Sequence, residues 1–147
     1  MINFDSACIN NKDDLYTEIE NIGNGKTNSF LDDKITWFLD EINQIDGVFT
    51  LFSCWGHKKY EYIGFKKYSN HLFYTEDQYP YLVISLDEKY INIFRNKIYQ
   101  KIKDKYKTCS IKYIKNQIVL YYNRKKISDK NSKLFFDFIL KLFREEN

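Results

Sequence analysis

Apolar residues recur at helical spacing in four places along the chain and alternate at strand spacing in five. Leu15, Ile19 and Ile22 form one stripe, predicting a helix over 12–22 with Gly23 as its stop and Gly23-Asn24-Gly25 as a turn. Ile35, Phe38, Leu39 and Ile42 share a second face; Asn28 or Ser29 can cap that helix, and Asp32 and Asp33 suit its positive end. Asp46-Gly47 closes it. Val48–Cys54 then reads as a strand rich in β-formers, followed by a loop and a second strand around Tyr60–Phe65. Residues 66–78, of mixed polarity, read as an exposed connection. Tyr81–Leu86 reads as a buried strand, and Asp87 caps a long helix to about Lys105 with Ile91, Phe94, Ile98 and Ile102 inward. Cys109–Ile114 and Ile118–Tyr122 form a hairpin around Lys115-Asn116-Gln117. From Ser128 or Asp129 a last helix carries Leu134, Phe135, Phe138, Ile139, Leu142 and Phe143.

The order is thus ααβββαββα. It predicts an α+β fold: a mixed or antiparallel sheet of about five strands, with helices packed mainly on one face. The 147 residues are one domain's length, with no repeat or low-complexity linker and a single proline, Pro80. No apolar run approaches the roughly 20 residues that cross a bilayer, and the start, Met1-Ile2-Asn3-Phe4-Asp5, lacks a secretory signal's pattern. Three cysteines, Cys8, Cys54 and Cys109, are an odd and sparse set that fits reduced thiols. The expected setting is a cytoplasm, with no membrane partner.

Composition changes how charge is read. Phe, Tyr, Ile, Asn and Lys supply 77 of the 147 residues, while Ala, Pro, Arg and Gly supply ten. Those are the residues of A/T-rich codons, so lysine abundance by itself carries little. Its placement carries more. Residues 1–50 hold ten acids against three bases, and residues 95–126 hold eleven bases against Asp104 alone. That polarity predicts an anionic partner for the second region, against the plainer reading of a solvated lysine face. Lys97, Lys101 and Lys105 fall at helical spacing and form a ridge.

Two segments carry candidate chemistry. Ser53-Cys54-Trp55-Gly56-His57, at a predicted strand end, gathers a hydroxyl, a thiol, an indole and an imidazole where a sheet positions loop side chains. Cys54 and His57 have a Cys-x-x-His spacing able to clamp zinc, but a full ligand set needs distant partners, with His71 the only other histidine. The same pair could act as thiol nucleophile and base, with Asp87 as a conceivable orienting acid. In the third reading the segment is a binding loop: Trp55 stacks on a ring while Ser53, Cys54, His57 and Lys58 line the ligand. The plain alternative makes Cys54 and Trp55 core residues and His57 a hydrogen-bonded turn residue. The second segment is Tyr122 with Arg124, Lys125 and Lys126, where one of only three arginines stands beside two lysines in a form suited to phosphate. No dinucleotide fingerprint, phosphate-binding loop or zinc-finger spacing occurs, so no cofactor and no metal are expected.

Asp33-Lys34-Ile35 through Ile42-Asn43, followed by Phe49–His57, resembles the Tyw3-like tRNA wybutosine-synthesising methyltransferases, over about 25 residues. Thr50, Ser53, Cys54 and Gly56 match that signature directly, and His57 stands where it has arginine. The Ser-Cys-x-Gly-His element is also similar to one in small phage-borne proteins. The first likeness implies a shared sheet-and-helix layout with a ligand loop, and the second an accessory protein that counters a host defence. Together these readings favour a binding protein for a phosphate-containing ligand, an anionic small molecule such as a nucleotide-like signal, or RNA. The alternatives are an enzyme using the Ser-Cys-Trp-Gly-His loop, and an inhibitor whose acidic N-terminal third takes a host protein.

Overall fold

A computed structural model describes residues 11–24, 33–61, 74, 76–123 and 126–146. The first helix, α1 (Lys12–Gly23), starts where Asn11 accepts the Asp14 amide at 2.9 Å, with Asp13 and Asp14 in its positive first turn. A 3-10 turn (Asp33–Ile35) leads into α2 (Thr36–Ile42), which buries Phe38, Leu39 and Ile42. The expected caps Asn28 and Ser29 lie outside the described residues, and the α-helical part is short. Gly47 then turns the chain at φ +86°; a Cβ there would meet the Asp87 carboxylate at 2.3 Å. That close approach lets the Gly47 carbonyl accept the Asp87 amide while Asp87 caps the next helix through the Tyr90 amide.

Four strands make one antiparallel sheet in the order β1-β2-β4-β3: β1 (Val48–Cys54), β2 (Tyr81–Leu86), β3 (Cys109–Ile114) and β4 (Gln117–Tyr122). The fold is α+β, as its apolar periodicity predicts, with one strand fewer than expected among the described residues. The fifth expected strand, around Tyr60–Phe65, falls mostly outside the described residues. Residues 62–65 lie outside the described residues, and Tyr60 and Glu61 form a turn whose backbone is tied to Tyr74. Helix α3 (Glu88–Ile93) continues through a π-helical stretch (Phe94–Ile98) into α4 (Tyr99–Lys105). Ile91, Phe94, Ile98 and Ile102 are all buried, as their spacing predicts. The last helix, α5 (Asp129–Glu145), is capped by Ser128 through the Asn131 amide.

Strand register decides which side chains meet the helices. Thr50, Ile84 and Ile118 lie in one cross-strand row with Tyr113, and Leu82, Leu120 and Ile111 in another. These rows join the core with Phe38, Phe94, Phe135, Phe136 and Phe143 from the helices. In α5 the buried set is Phe135, Phe136, Ile139, Leu140, Leu142 and Phe143; Leu134, expected inward, is exposed. Position 134 sits one residue's rotation outside the face that 135, 136, 139 and 143 share. A buried polar clamp joins α2 to β1. Asn43 donates to the Leu39 carbonyl and Thr50 hydroxyl, both at 2.8 Å, and accepts the Thr50 amide at 3.0 Å. The sheet register shifts between Thr50 and Phe52, so this edge strand changes which residues face inward partway along.

Candidate functional site

The chain leaving β1 is fixed against the first turns of α5. Trp55 donates its indole N–H to Asp129 at 2.8 Å and accepts the Ser132 hydroxyl on its carbonyl at 2.5 Å. Its ring lies nearly parallel to Phe136 (14° between planes) and edge-on to Trp37. Only 4% of Trp55 is exposed, so the indole offers no free face for stacking on a ligand. Gly56 follows at φ +101°, and a Cβ there would press on the Pro80 ring at 3.0 Å. That geometry keeps the chain close enough for His57 and Gln78 to exchange both backbone hydrogen bonds at 2.8 Å.

His57 is turned inward as well. It is 5% exposed, its imidazole stacks on Tyr74 with centroids 4.4 Å apart, and its Nδ1 is hydrogen-bonded to the Glu61 carboxylate. Lys34 reaches Glu61 at 3.4 Å and Asp129 at 3.2 Å. A continuous polar chain therefore runs His57, Glu61, Lys34, Asp129, Trp55. The indole hydrogen bond holds the Asp129 carboxyl below its ordinary range, against partial burial and with help from Lys34. Burial disfavours the Lys34 charge, yet hydrogen bonding to Asp129 and the Glu61 field outweigh it and raise that amine.

The remaining predicted site residues separate. Cys54 is fully buried, Ser53 is half-buried opposite Leu82, and Lys58 is exposed. Tyr122, expected beside a phosphate, is buried with its ring stacked on Phe135 at 4.9 Å. Arg124 and Lys125 lie outside the described residues. Lys126 is exposed, and its carbonyl accepts from Asn131 in the first turn of α5. The fold thus brings 53–57 to the same helix start that follows Lys126, but spends the indole and imidazole on internal partners. The reason is chemical: both rings carry a polar N–H that reaches a carboxylate at the edge of the fold, so burying the ring leaves that group satisfied.

The lysine ridge is also partly matched. Lys97 pairs with Glu146 at 3.4 Å and Lys101 with Glu145 at 4.0 Å, at the end of α5, while Lys105 lies over the Phe138 ring at 4.5 Å. Lys103 donates to the Cys109 carbonyl at 2.7 Å. Burial pushes the Cys109 thiol up to about 11, with Lys103 opposing it. No group of three or more His, Cys, Asp or Glu side chains able to hold a metal ion occurs among the described residues.

The face of the sheet away from the helices carries a different set. Register places Cys54, Tyr81, Tyr121 and Ser110 in one row, Phe52, Val83, Val119 and Lys112 in the next, and Phe49, Ser85, Gln117 and Ile114 in the third. The β1 end of the first row is buried, and exposure grows toward the hairpin. Tyr121 is 38% exposed, Ile114 is 56% exposed, and Lys112 is exposed between them. The Tyr121 ring meets Tyr79 edge-on at 6.2 Å, and burial together with Tyr79 and Cys54 raises its phenol. Sequence reasoning chose Tyr122 and missed Tyr121. The signal was there: Ile118, Leu120 and Tyr122 alternate inward, which puts Tyr121 on the other face. Comparison with protein-family models, with curated proteins and with solved structures gave no match for this chain.

Proposed function

We propose that this protein binds a phosphate-containing ligand, a nucleotide-like signal or RNA, without altering it. The observation that carries the reading is Tyr121, an exposed aromatic ring on the sheet's outer face, with Ser110 directly opposite and Lys112 one row on. An exposed ring beside a cation and a hydroxyl serves a base, a phosphate and a ribose together. Of the bases in residues 95–126, Lys112 lies on this face and the exposed Lys107 and Lys115 flank its edge strand, which supports an anionic ligand here. Full burial of Cys54 favours binding over thiol catalysis, which needs an accessible thiolate. The proposed setting is the cytoplasm of a cell with an A/T-rich genome, where a phage-borne copy would sequester such a ligand from host defence.

Calorimetry against nucleoside phosphates, cyclic nucleotides and short RNAs tests this directly. Saturable binding by at least one of them is expected, weakened about tenfold in Tyr121→Ala by loss of stacking. A panel with no saturable binding, or binding untouched by Tyr121→Ala and Lys112→Glu, refutes the proposal.

A further inference from the structure

The spread of exposed groups along the hairpin narrows the ligand class. Strand β3 is an edge strand of six residues, which extends about 20 Å. Lys107 stands just before it, Lys112 on its outer face and Lys115 just beyond it, and all three are exposed. None of the three shares an ion pair among the described residues. The single phosphate group of a mononucleotide meets only one of these positions. A polymer with a phosphate at every residue meets them in succession.

Tyr121 adds a second constraint. Its ring lies on a sheet surface, where a base can stack only after leaving its partner strand. A duplex keeps its bases stacked inside and offers that ring only backbone. Ser110 adds a third. Its side chain neighbours the Tyr121 ring on the same face, where the sugar of a stacked nucleotide passes and a 2′-hydroxyl can exchange a hydrogen bond.

Resting on the binding reading above, we infer that the ligand is single-stranded RNA laid along the outer face of the β3–β4 hairpin. One base stacks on Tyr121, and successive phosphates lie near Lys112 and the two flanking lysines. The lysine ridge running from the π-helical stretch into α4 takes no part, because Lys97 and Lys101 face the acids that end α5.

Fluorescence anisotropy with labelled mixed-sequence RNA tests this. Affinity is expected to climb from the mononucleotide to about four nucleotides and then flatten, the short end of the site sizes of single-strand binders. The logarithmic salt slope is expected to fall by about 0.7 in Lys112→Ala, one phosphate contact on a single strand. Tyr121→Ala is expected to weaken binding about tenfold with the salt slope unchanged. Both side chains are exposed, and matching circular dichroism spectra confirm that the variants fold. A mononucleotide bound as tightly as the octamer overturns the polymer assignment while leaving the phosphate-ligand reading standing. A duplex bound as tightly overturns the single-strand assignment. DNA of the same sequence bound as tightly overturns the choice of RNA, and a preference for RNA that survives Ser110→Ala undiminished overturns the 2′-hydroxyl contact assigned to Ser110. Absence of binding by every nucleic acid and nucleotide removes both readings together.

Discussion

Replacing Trp55 by phenylalanine keeps an aromatic ring against Phe136 but deletes the N–H that Asp129 accepts. A hydrogen bond to a charged group is worth about 1.5–3 kcal/mol. Here the Asp129 side chain is 69% exposed and keeps Lys34 at 3.2 Å, so solvent and the amine take over part of the loss. The hydrogen-bond part of the penalty at pH 7 is therefore about 1 kcal/mol, with a smaller ring adding a packing loss that does not depend on pH. The sign of the pH dependence follows from the carboxyl. Its folded pKa is depressed, with the indole bond as the first cause, so its stabilisation is complete above the unfolded value near 3.8 and disappears as pH falls through the folded value. Urea unfolding of both proteins at pH 7 and again below pH 3 measures this. The gap between wild type and Trp55→Phe is expected to narrow in acid, toward the packing part. Asp129→Asn is expected to absorb the same increment in a double-mutant cycle. An equal gap at both pH values refutes the argument that an ionised carboxylate holds the indole.

Two further outcomes bear on the frame around the site. Asn43→Ala strips three hydrogen bonds from a buried position and leaves the Thr50 amide without its acceptor, so a loss of about 3 kcal/mol in chemical denaturation is expected, with little change in ligand binding. Cys109, raised to about 11 by burial, is expected to resist a thiol-specific reagent at pH 8 in the native protein and to react on unfolding. Rapid native-state labelling of Cys109 would contradict the burial that shapes this end of the hairpin.

Much of the fold could be read from the sequence because its signals were local and repeated. The inward stripe of the long helix needs only 3.6-residue spacing, and Ile91, Phe94, Ile98 and Ile102 deliver it even across a π-helical stretch. Gly47 and Asp87 act as turn and cap, although their mutual contact joins positions 40 residues apart. The site was harder. Trp55 and His57 look like ligand contacts because an indole and an imidazole beside a glycine are costly to bury without partners. Those partners, Asp129 and Glu61, come from a distant helix start and from a turn, and nothing local in 53–58 announces them. The lysine ridge misleads similarly: its counter-charges Glu145 and Glu146 lie some 45 residues away in the chain.

That pattern separates two uses of polar groups in this molecule. The His57–Glu61–Lys34–Asp129–Trp55 chain pairs each carboxylate with Lys34 and with a ring nitrogen, so it fixes the strand end onto α5. The hairpin does the reverse. Lys107, Lys112 and Lys115 follow one edge strand with Tyr121 beside them, and their charges face water rather than the fold. A lysine on an edge strand also discourages pairing with another strand. Protection of the edge alone accounts for Lys112 but gives no reason for an aromatic ring exposed in the neighbouring row. Binding accounts for both, which is why the Tyr121 and Lys112 substitutions, rather than any change in the Ser-Cys-Trp-Gly-His turn, decide the matter.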